Sequence, residues 1–292
     1  MTITTISKHA AFGGVQGFYQ HQSRAIGLPM RFSVFQPPQA KSRKVPVLFY
    51  LGGLTCTEET FMIKAGAQRT AAELGIMLVS CDTSPRNTGI ENATKDWDLG
   101  EGAGFYLDAT VAPWREMFRM ESYIVDELRA CVIAEFAADA NRVGIFGHSM
   151  GGHGALTLAL RHPLLFHSVS ALAPICAPSQ CAWGENAFGN YLGSDRTEWE
   201  AHDAAMLMRA GPVRFPAGIL VDQGLDDKFL AQGQLRPELL ESACQQSGQP
   251  LTLRQHAGYD HGYYFVATFV ADHLRWHHAQ LTRRADAQTD IA

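Results

Sequence analysis

Several features are scarce or missing in this chain, and each absence narrows what it can be. Positive charge is not in excess: 24 Lys and Arg against 29 Asp and Glu leave a net charge of −5. That balance argues against nucleic acid as a partner, because holding a phosphate backbone needs clustered cations. No Cys-x-x-Cys pair occurs among Cys56, Cys81, Cys131, Cys176, Cys181 and Cys244, which speaks against zinc ribbons and thioredoxin-like chemistry. No metal and no cofactor are expected. Uninterrupted apolar stretches fall short of the roughly 18 residues of a spanning helix. The N-terminus carries no apolar run behind positive charge, so no signal peptide and no membrane partner are expected. Scattered free thiols suit a reducing cytosol, and a cytoplasmic location is expected. Repeats, low-complexity tracts and linkers are absent too.

What is present is a pattern of strands and helices in alternation. The start alternates apolar and polar residues over Gly14–Gln20 and Met30–Phe35, as antiparallel strands with one wet face do. Apolar runs follow at 47–51, 76–80, 142–146, 169–173 and 217–221, typical of parallel strands buried on both sides. A further strand is read at Leu251–Gln255. Helical spacing separates the runs around Gln68–Leu74, Tyr123–Phe136, Gly154–Arg161 and Gln234–Gln246. This order predicts an α/β protein, with a mostly parallel central sheet, helices on both faces and an antiparallel N-terminal edge. A chain of 292 residues can bury roughly 75% of its unfolded surface without a disulfide or metal staple. One domain over residues 1–292 is expected, with a polar tail over about 277–292 that frays. Residues 83–120 and 175–215, rich in Gly, Pro and Trp, read as irregular insertions over the C-terminal edge of the sheet, where open α/β folds bind ligands.

The chemistry centres on Gly147-His148-Ser149-Met150-Gly151, placed between an apolar strand and a glycine-rich helix start. That is the form of a nucleophile elbow, which lifts a serine hydroxyl out of the sheet. A serine hydroxyl needs a base, and the base needs an orienting acid. On α/β-hydrolase folds these follow in the order Ser, Asp or Glu, His, each on a loop after a strand. Asp226 follows the strand ending at Val221, and His261 lies in a Gly- and Tyr-rich loop before an aromatic helix. Ser149, Asp226 and His261 are therefore the expected triad. His256 is the rival base. Asp222 is read as structural, Asp227 as a helix cap and Asp260 as a loop former. His148 and His153 are assigned to the elbow and its helix, pointing away from Ser149. The remaining histidines, including His21, His273 and His277, are read as lying in polar or surface contexts. Attack on a carbonyl creates an oxyanion, which needs two backbone N–H donors. Met150, just after the nucleophile, and Leu54, in the glycine-rich loop after the first buried strand, are the expected pair.

Taken together, these segments resemble the S-formylglutathione hydrolase (esterase D) family. The matching blocks run from Leu51 to Phe61, Asp82 to Arg86, Asp96 to Asp98, Gly102 to Thr110, Gly147 to Ala155, Asp222 to Leu230 and Gly258 to Phe265. The resemblance implies an α/β-hydrolase fold and cleavage of S-formylglutathione to glutathione and formate, a step in formaldehyde detoxification. It carries the same roles onto Ser149, Asp226, His261, Leu54 and Met150. It also implies a cytoplasmic enzyme that often forms homodimers. Gly262 departs from the family, which has serine there. Cys56 is expected to border the substrate without reacting, and the resemblance implies that thiol modification there blocks activity. A formyl group needs only a shallow pocket, with Trp97, Phe105, Trp183 and Tyr263 as expected walls. Lys64, Arg86, Lys95 and Lys228 are candidate partners for the glutathione carboxylates. A short-chain carboxylesterase without glutathione preference is the alternative reading.

Overall fold

The computed structural model describes the backbone of residues 2–289 and the side chains of residues 2–282. Among the described residues nine strands form one sheet: β1 (Ile3–Ala11), β2 (Gly14–Gln22), β3 (Pro29–Gln36), β4 (Val45–Leu51), β5 (Met77–Cys81), β6 (Ala138–His148), β7 (Ser168–Leu172), β8 (Ile219–Gly224) and β9 (Leu251–His256). Their order is β1-β2-β3-β5-β4-β6-β7-β8-β9. The first three strands run antiparallel, with β3 antiparallel to β5. From β5 across to β9 every pairing is parallel. Every residue of β4, β5, β7 and β8 is buried, which requires covered faces on both sides. The expected fold class is observed.

Each expected strand is present, with its bounds shifted by a few residues. β6 is longer than its apolar run suggested and ends directly at Ser149. An additional edge strand, β1, precedes the two antiparallel strands read from the alternation. Its side chains are exposed or half-buried throughout, so it lacks the apolar face that marks a strand in sequence. The segment 175–215 is not irregular: it contains helices Ala182–Tyr191, Arg196–Glu200 and Ala204–Ala210. Asp195 and Asp203 cap the last two through their side chains.

The C-terminal expectation needs correction. Helix Tyr263–Thr289 continues through the region read as a fraying tail, and His277 and Leu281 are fully buried in it. Residues 290–292 of that expected tail lie outside the described residues. The helix packs against β6 and β7 and brings His273 and His277 onto serines of β7. His277 joins Ser168 Oγ at 2.6 Å and Ser170 Oγ at 2.8 Å. His273 joins Ser170 Oγ at 2.7 Å and Asp222 Oδ2 at 3.1 Å. Polar residues thus lie in the core because each finds a partner there. His21, also expected in a polar or surface context, is buried against Tyr123, whose hydroxyl lies 3.2 Å from its Nε2.

Candidate active site

The elbow is built at the junction of β6 and helix Met150–Arg161. Ser149 has φ 59° and ψ −122°, a conformation that a side chain adopts only under constraint. Its N–H donates to Leu172 O at 3.0 Å, and its carbonyl accepts from His153 N at 3.0 Å. The turn is tight enough that a Cβ on Gly151 would stand 1.9 Å from Leu51 O, so no larger residue fits. The serine side chain projects toward the loop after β4: a Cβ on Gly53 would lie 3.1 Å from Ser149 Cβ. Neither Ser149 Oγ nor His261 Nε2 has a hydrogen-bond partner among the described residues.

The aspartate paired with His261 is not the one expected. His261 Nδ1 donates to Asp227 Oδ2 at 2.5 Å, and Asp226 is exposed with no side-chain partner among the described residues. The reason lies in the turn that follows β8. The Asp226 backbone N–H donates to Tyr259 O at 3.0 Å, and its side chain faces out. Asp227, the next residue, turns inward and is 1% exposed. It also caps helix Lys228–Ala231, its Oδ1 accepting from Phe229 N at 2.8 Å. Capping and orienting the histidine are compatible because a carboxylate has two oxygens, and each serves one task. Burial by itself would raise the Asp227 pKa. The hydrogen bond and charge of His261, with the Phe229 and Gln223 donors, outweigh it and hold the carboxyl below its usual range.

His256, the rival base, belongs to another cluster: its Nε2 meets Asp222 Oδ1 at 3.2 Å and its ring stacks on Phe269. Asp222 is structural, as expected. Burial would raise its pKa, but His273, Arg254 and His256 bond it and hold it well below the carboxylate range. His148 has a closer role than expected. Its ring centroid lies 4.5 Å from that of His261, and Phe229 packs edge-on to the same imidazole at 4.8 Å. Burial, and then the neighbouring His261, push the His148 pKa well below its ordinary value, so it remains neutral beside the base.

The loop after β4 is held from beneath. Tyr106 Oη donates to Gly52 O at 2.7 Å, while Thr83 Oγ1 at 2.7 Å and Arg86 Nη2 at 3.0 Å both donate to Cys56 O. Thr55 N and Cys56 N are engaged with Gly102 O and Gly53 O. The Leu54 N–H donates to no group among the described residues, and Met150, first in its helix, has an N–H with no partner inside that helix. Cys56 is half-buried, its Sγ 4.0 Å from Tyr263 Oη. Burial pushes its pKa up, which keeps it a thiol rather than a thiolate at neutral pH.

Aromatic side chains flank the base. Trp97 and Trp183 meet edge to face at 5.3 Å, and both pack on Phe229. Tyr263 lies across from His148 at 5.8 Å. Phe105 does not join them: it is fully buried against His153, so its expected part in the pocket wall is withdrawn. A cavity of about 400 Å³ is lined by Asp226, Lys228, Phe229, Asp260, His261 and Gly262. Of the cations considered for glutathione, Lys228 lines this cavity. Lys64 sits 5.7 Å from the Tyr263 ring centroid, and Arg86 is engaged inside with Asp82 at 2.8 Å. Among the described residues no contact connects Lys95 to the site. A larger cavity of about 580 Å³ lies elsewhere, beside Arg31, Glu58 and Asp82, and holds none of the residues above except Arg86. Among the described residues no three His, Cys, Asp or Glu side chains could together hold a metal ion.

Sequence reasoning named Asp227 but gave it only the cap. The capping signal, an Asp at a helix start, was itself evidence that this side chain turns inward. His148 and Phe229 were not foreseen as neighbours of the base.

The chain matches the family described as putative esterase over residues 23–276. It is 51% identical over 277 residues to the S-formylglutathione hydrolase of Paracoccus denitrificans, covering 95% of this chain and 98% of that one. It is 49% identical over 280 residues to the S-formylglutathione hydrolase of Mus musculus, covering 96% and 99%. A solved S-formylglutathione hydrolase from Agrobacterium tumefaciens superimposes with a TM-score of 0.92 at 49% identity, covering 95% of this chain and 99% of that one.

Proposed function

This chain belongs to the S-formylglutathione hydrolase family, and from that premise we propose that it hydrolyses the thioester S-formylglutathione to glutathione and formate at Ser149, His261 and Asp227. The observation that carries the site assignment is the short His261–Asp227 hydrogen bond, with His261 packed against His148, the residue before a serine held in an elbow. The near full-length similarity to S-formylglutathione hydrolases supports the substrate.

The chemistry follows from the geometry. Asp227 accepts from Nδ1 of His261 and so leaves Nε2 as the basic nitrogen. Nε2 takes the Ser149 proton as Oγ adds to the formyl carbon. The Leu54 and Met150 N–H groups receive the oxyanion; removing one such donor in comparable sites costs roughly 3 kcal/mol of transition-state stabilisation. The carbon–sulfur bond then breaks, and the proton on His261 passes to the departing thiolate. Water adds to the formyl-serine with His261 again as base, and formate leaves. Because His261 must protonate the leaving sulfur, glutathione lies on the histidine side, where the cavity carrying Lys228 opens. Tyr263, across from His148, limits the room for long acyl chains, while Trp97 and Trp183 stand behind Phe229 at the Lys228 cavity. Cys56 borders this space without taking part.

The reading extends to a single domain acting as a homodimer in the cytoplasm. Six free cysteines fit a reducing compartment, and among the described residues no helix is long and apolar enough to cross a membrane. Light scattering of the purified chain checks the dimer.

The decisive experiment compares kcat/KM for S-formylglutathione, S-acetylglutathione and a series of p-nitrophenyl esters. Values should fall from formyl to acetyl, and fall again from acetyl to butyryl and longer esters. Added salt should weaken the glutathione substrates more than the neutral esters, because only the former use screened charge contacts. A preference for hexanoyl esters, with no advantage for glutathione, would make the protein a general carboxylesterase.

A further inference from the structure

Gln223 lies near the end of β8, is fully buried, and takes no part in the steps above. Its Nε2 donates to Gly224 O at 2.9 Å and to Asp227 Oδ2 at 3.2 Å. That carboxylate oxygen is the one accepting from His261. The other oxygen of Asp227 receives the helix N–H groups of Phe229 and Leu230. The two oxygens are thus distinguished by their donors, and Gln223 supplies the second donor on the catalytic side.

Two further observations separate this from ordinary packing. The Oε1 of Gln223 is buried without a donor among the described residues, which is unfavourable for an amide in a core. Methionine or leucine would fill the space without that penalty, so the amide's value lies in its nitrogen. The surroundings also dictate which end points where: Gly224 O and Asp227 Oδ2 both accept only, so an amide oxygen turned toward them would be repelled. The acid and base loops meet at the same place. A Cβ on Gly224 would stand 2.4 Å from Tyr259 O, and Leu225 N donates to His256 O at 2.9 Å. A small change in the tilt of the Asp227 carboxylate would therefore be passed directly to His261.

We propose that Gln223 is a positioning residue for catalysis, its side-chain amide holding Asp227 Oδ2 in the plane that His261 Nδ1 requires. The inference rests on Asp227 as the acid of the proposed mechanism.

Two variants test it. Gln223→Met keeps the length and removes the donor. We expect kcat to fall between about tenfold and a hundredfold, as misplacement of a catalytic group by a fraction of an ångström does. KM should change less than kcat for both S-formylglutathione and p-nitrophenyl acetate. Gln223→Glu reads the contact independently of folding efficiency. Its carboxyl can donate to Asp227 only while protonated, and once ionised it places two like charges in contact. Its kcat/KM profile should show a falling alkaline limb at lower pH than wild type, with activity recovering as pH is lowered through that limb. A Gln223→Met enzyme with wild-type kcat would overturn the proposal, as would a Gln223→Glu enzyme with the wild-type pH profile. Asp227→Asn separates this outcome from failure of the underlying reading. If that variant stays active, Asp227 is not the acid. If it is inactive while both Gln223 variants match wild type, only the role of Gln223 fails.

Discussion

The sheet carries two sets of serine, histidine and aspartate, and the proposed chemistry falls to only one of them. Ser149, His261 and Asp227 gather at the C-terminal ends of the parallel strands. Ser170, His273 and Asp222 lie within the core, each fully buried. In the buried set Asp222 can only accept, so His273 donates from Nε2 and accepts at Nδ1 from Ser170. Ser170 in turn accepts from His277, which accepts from Ser168. Every proton has a partner, and a carbonyl has nowhere to enter. The other set ends differently. Its serine oxygen and outer histidine nitrogen are left without partners among the described residues, and the histidine lines a cavity. Ser170 sits inside a regular strand, while Ser149 is lifted out of one by its elbow. The same side chains serve stability in one place and, under the proposed mechanism, reactivity in the other, because of access and incomplete pairing.

The largest expected effect tests this contrast directly. Ser149→Ala should lose on the order of 10⁶ in kcat, as removal of the nucleophile does in comparable enzymes. Ser170→Ala should leave kcat within severalfold of wild type and instead lower the melting temperature. A dead Ser170→Ala enzyme with unchanged stability would mean that the buried set is linked to turnover.

Next in size is the choice between adjacent acids. Asp227→Asn should cost about 10⁴ in kcat, since the histidine loses its tautomer lock and charge partner. Asp226→Asn should cost less than tenfold, because its side chain is exposed and unpaired. Stopped-assay kinetics on the two variants decide it, and the reverse result would reject the assignment drawn from the His261 contact.

Stability against pH sharpens the comparison from the buried side. Burial, and then the neighbouring His273, lower the pKa of His277 to about 3, against about 6.5 in the unfolded chain. The unfolded state therefore binds the proton more readily. The stability from a neutral His277 is fully present above about pH 6.5 and is lost as pH falls toward 3, at about 1.4 kcal/mol per pH unit. Urea unfolding between pH 7 and 4.5 should show this loss. His277→Gln should be less stable at pH 7 but show a shallower slope. His153, lowered to about 3 by burial as well, should maintain part of the slope in that variant. An unchanged slope in His277→Gln would mean that His277 does not titrate as described.

The smallest effect concerns Cys56 at the edge of the open site. Cys56→Ser should stay within severalfold of wild-type activity and resist a thiol reagent that inhibits the parent. Equal inhibition of both would point to a different cysteine, and an inactive variant would give the thiol a chemical role.

The sequence by itself determined the positions of the buried strands from apolar runs, the antiparallel start from alternation, and the elbow from its glycines, while the order of the strands within the sheet came only from the tertiary structure. The sequence also determined the chain order of Ser149, the Asp226–Asp227 loop and His261, which the proposed mechanism uses as nucleophile, acid and base. All of these depend on neighbours a few residues apart, so local spacing records them. Which of two adjacent aspartates faces the histidine was decided only in three dimensions, where the Tyr259 carbonyl holds the Asp226 backbone and turns the next side chain inward. The edge strand β1 was illegible because its residues are exposed or half-buried along its length, and it takes its conformation from pairing with β2. His273 and His277 read as surface residues because polarity in sequence implies water. Their burial rests on serines more than 100 positions away, and a hydrogen bond across that separation leaves no local mark in the chain.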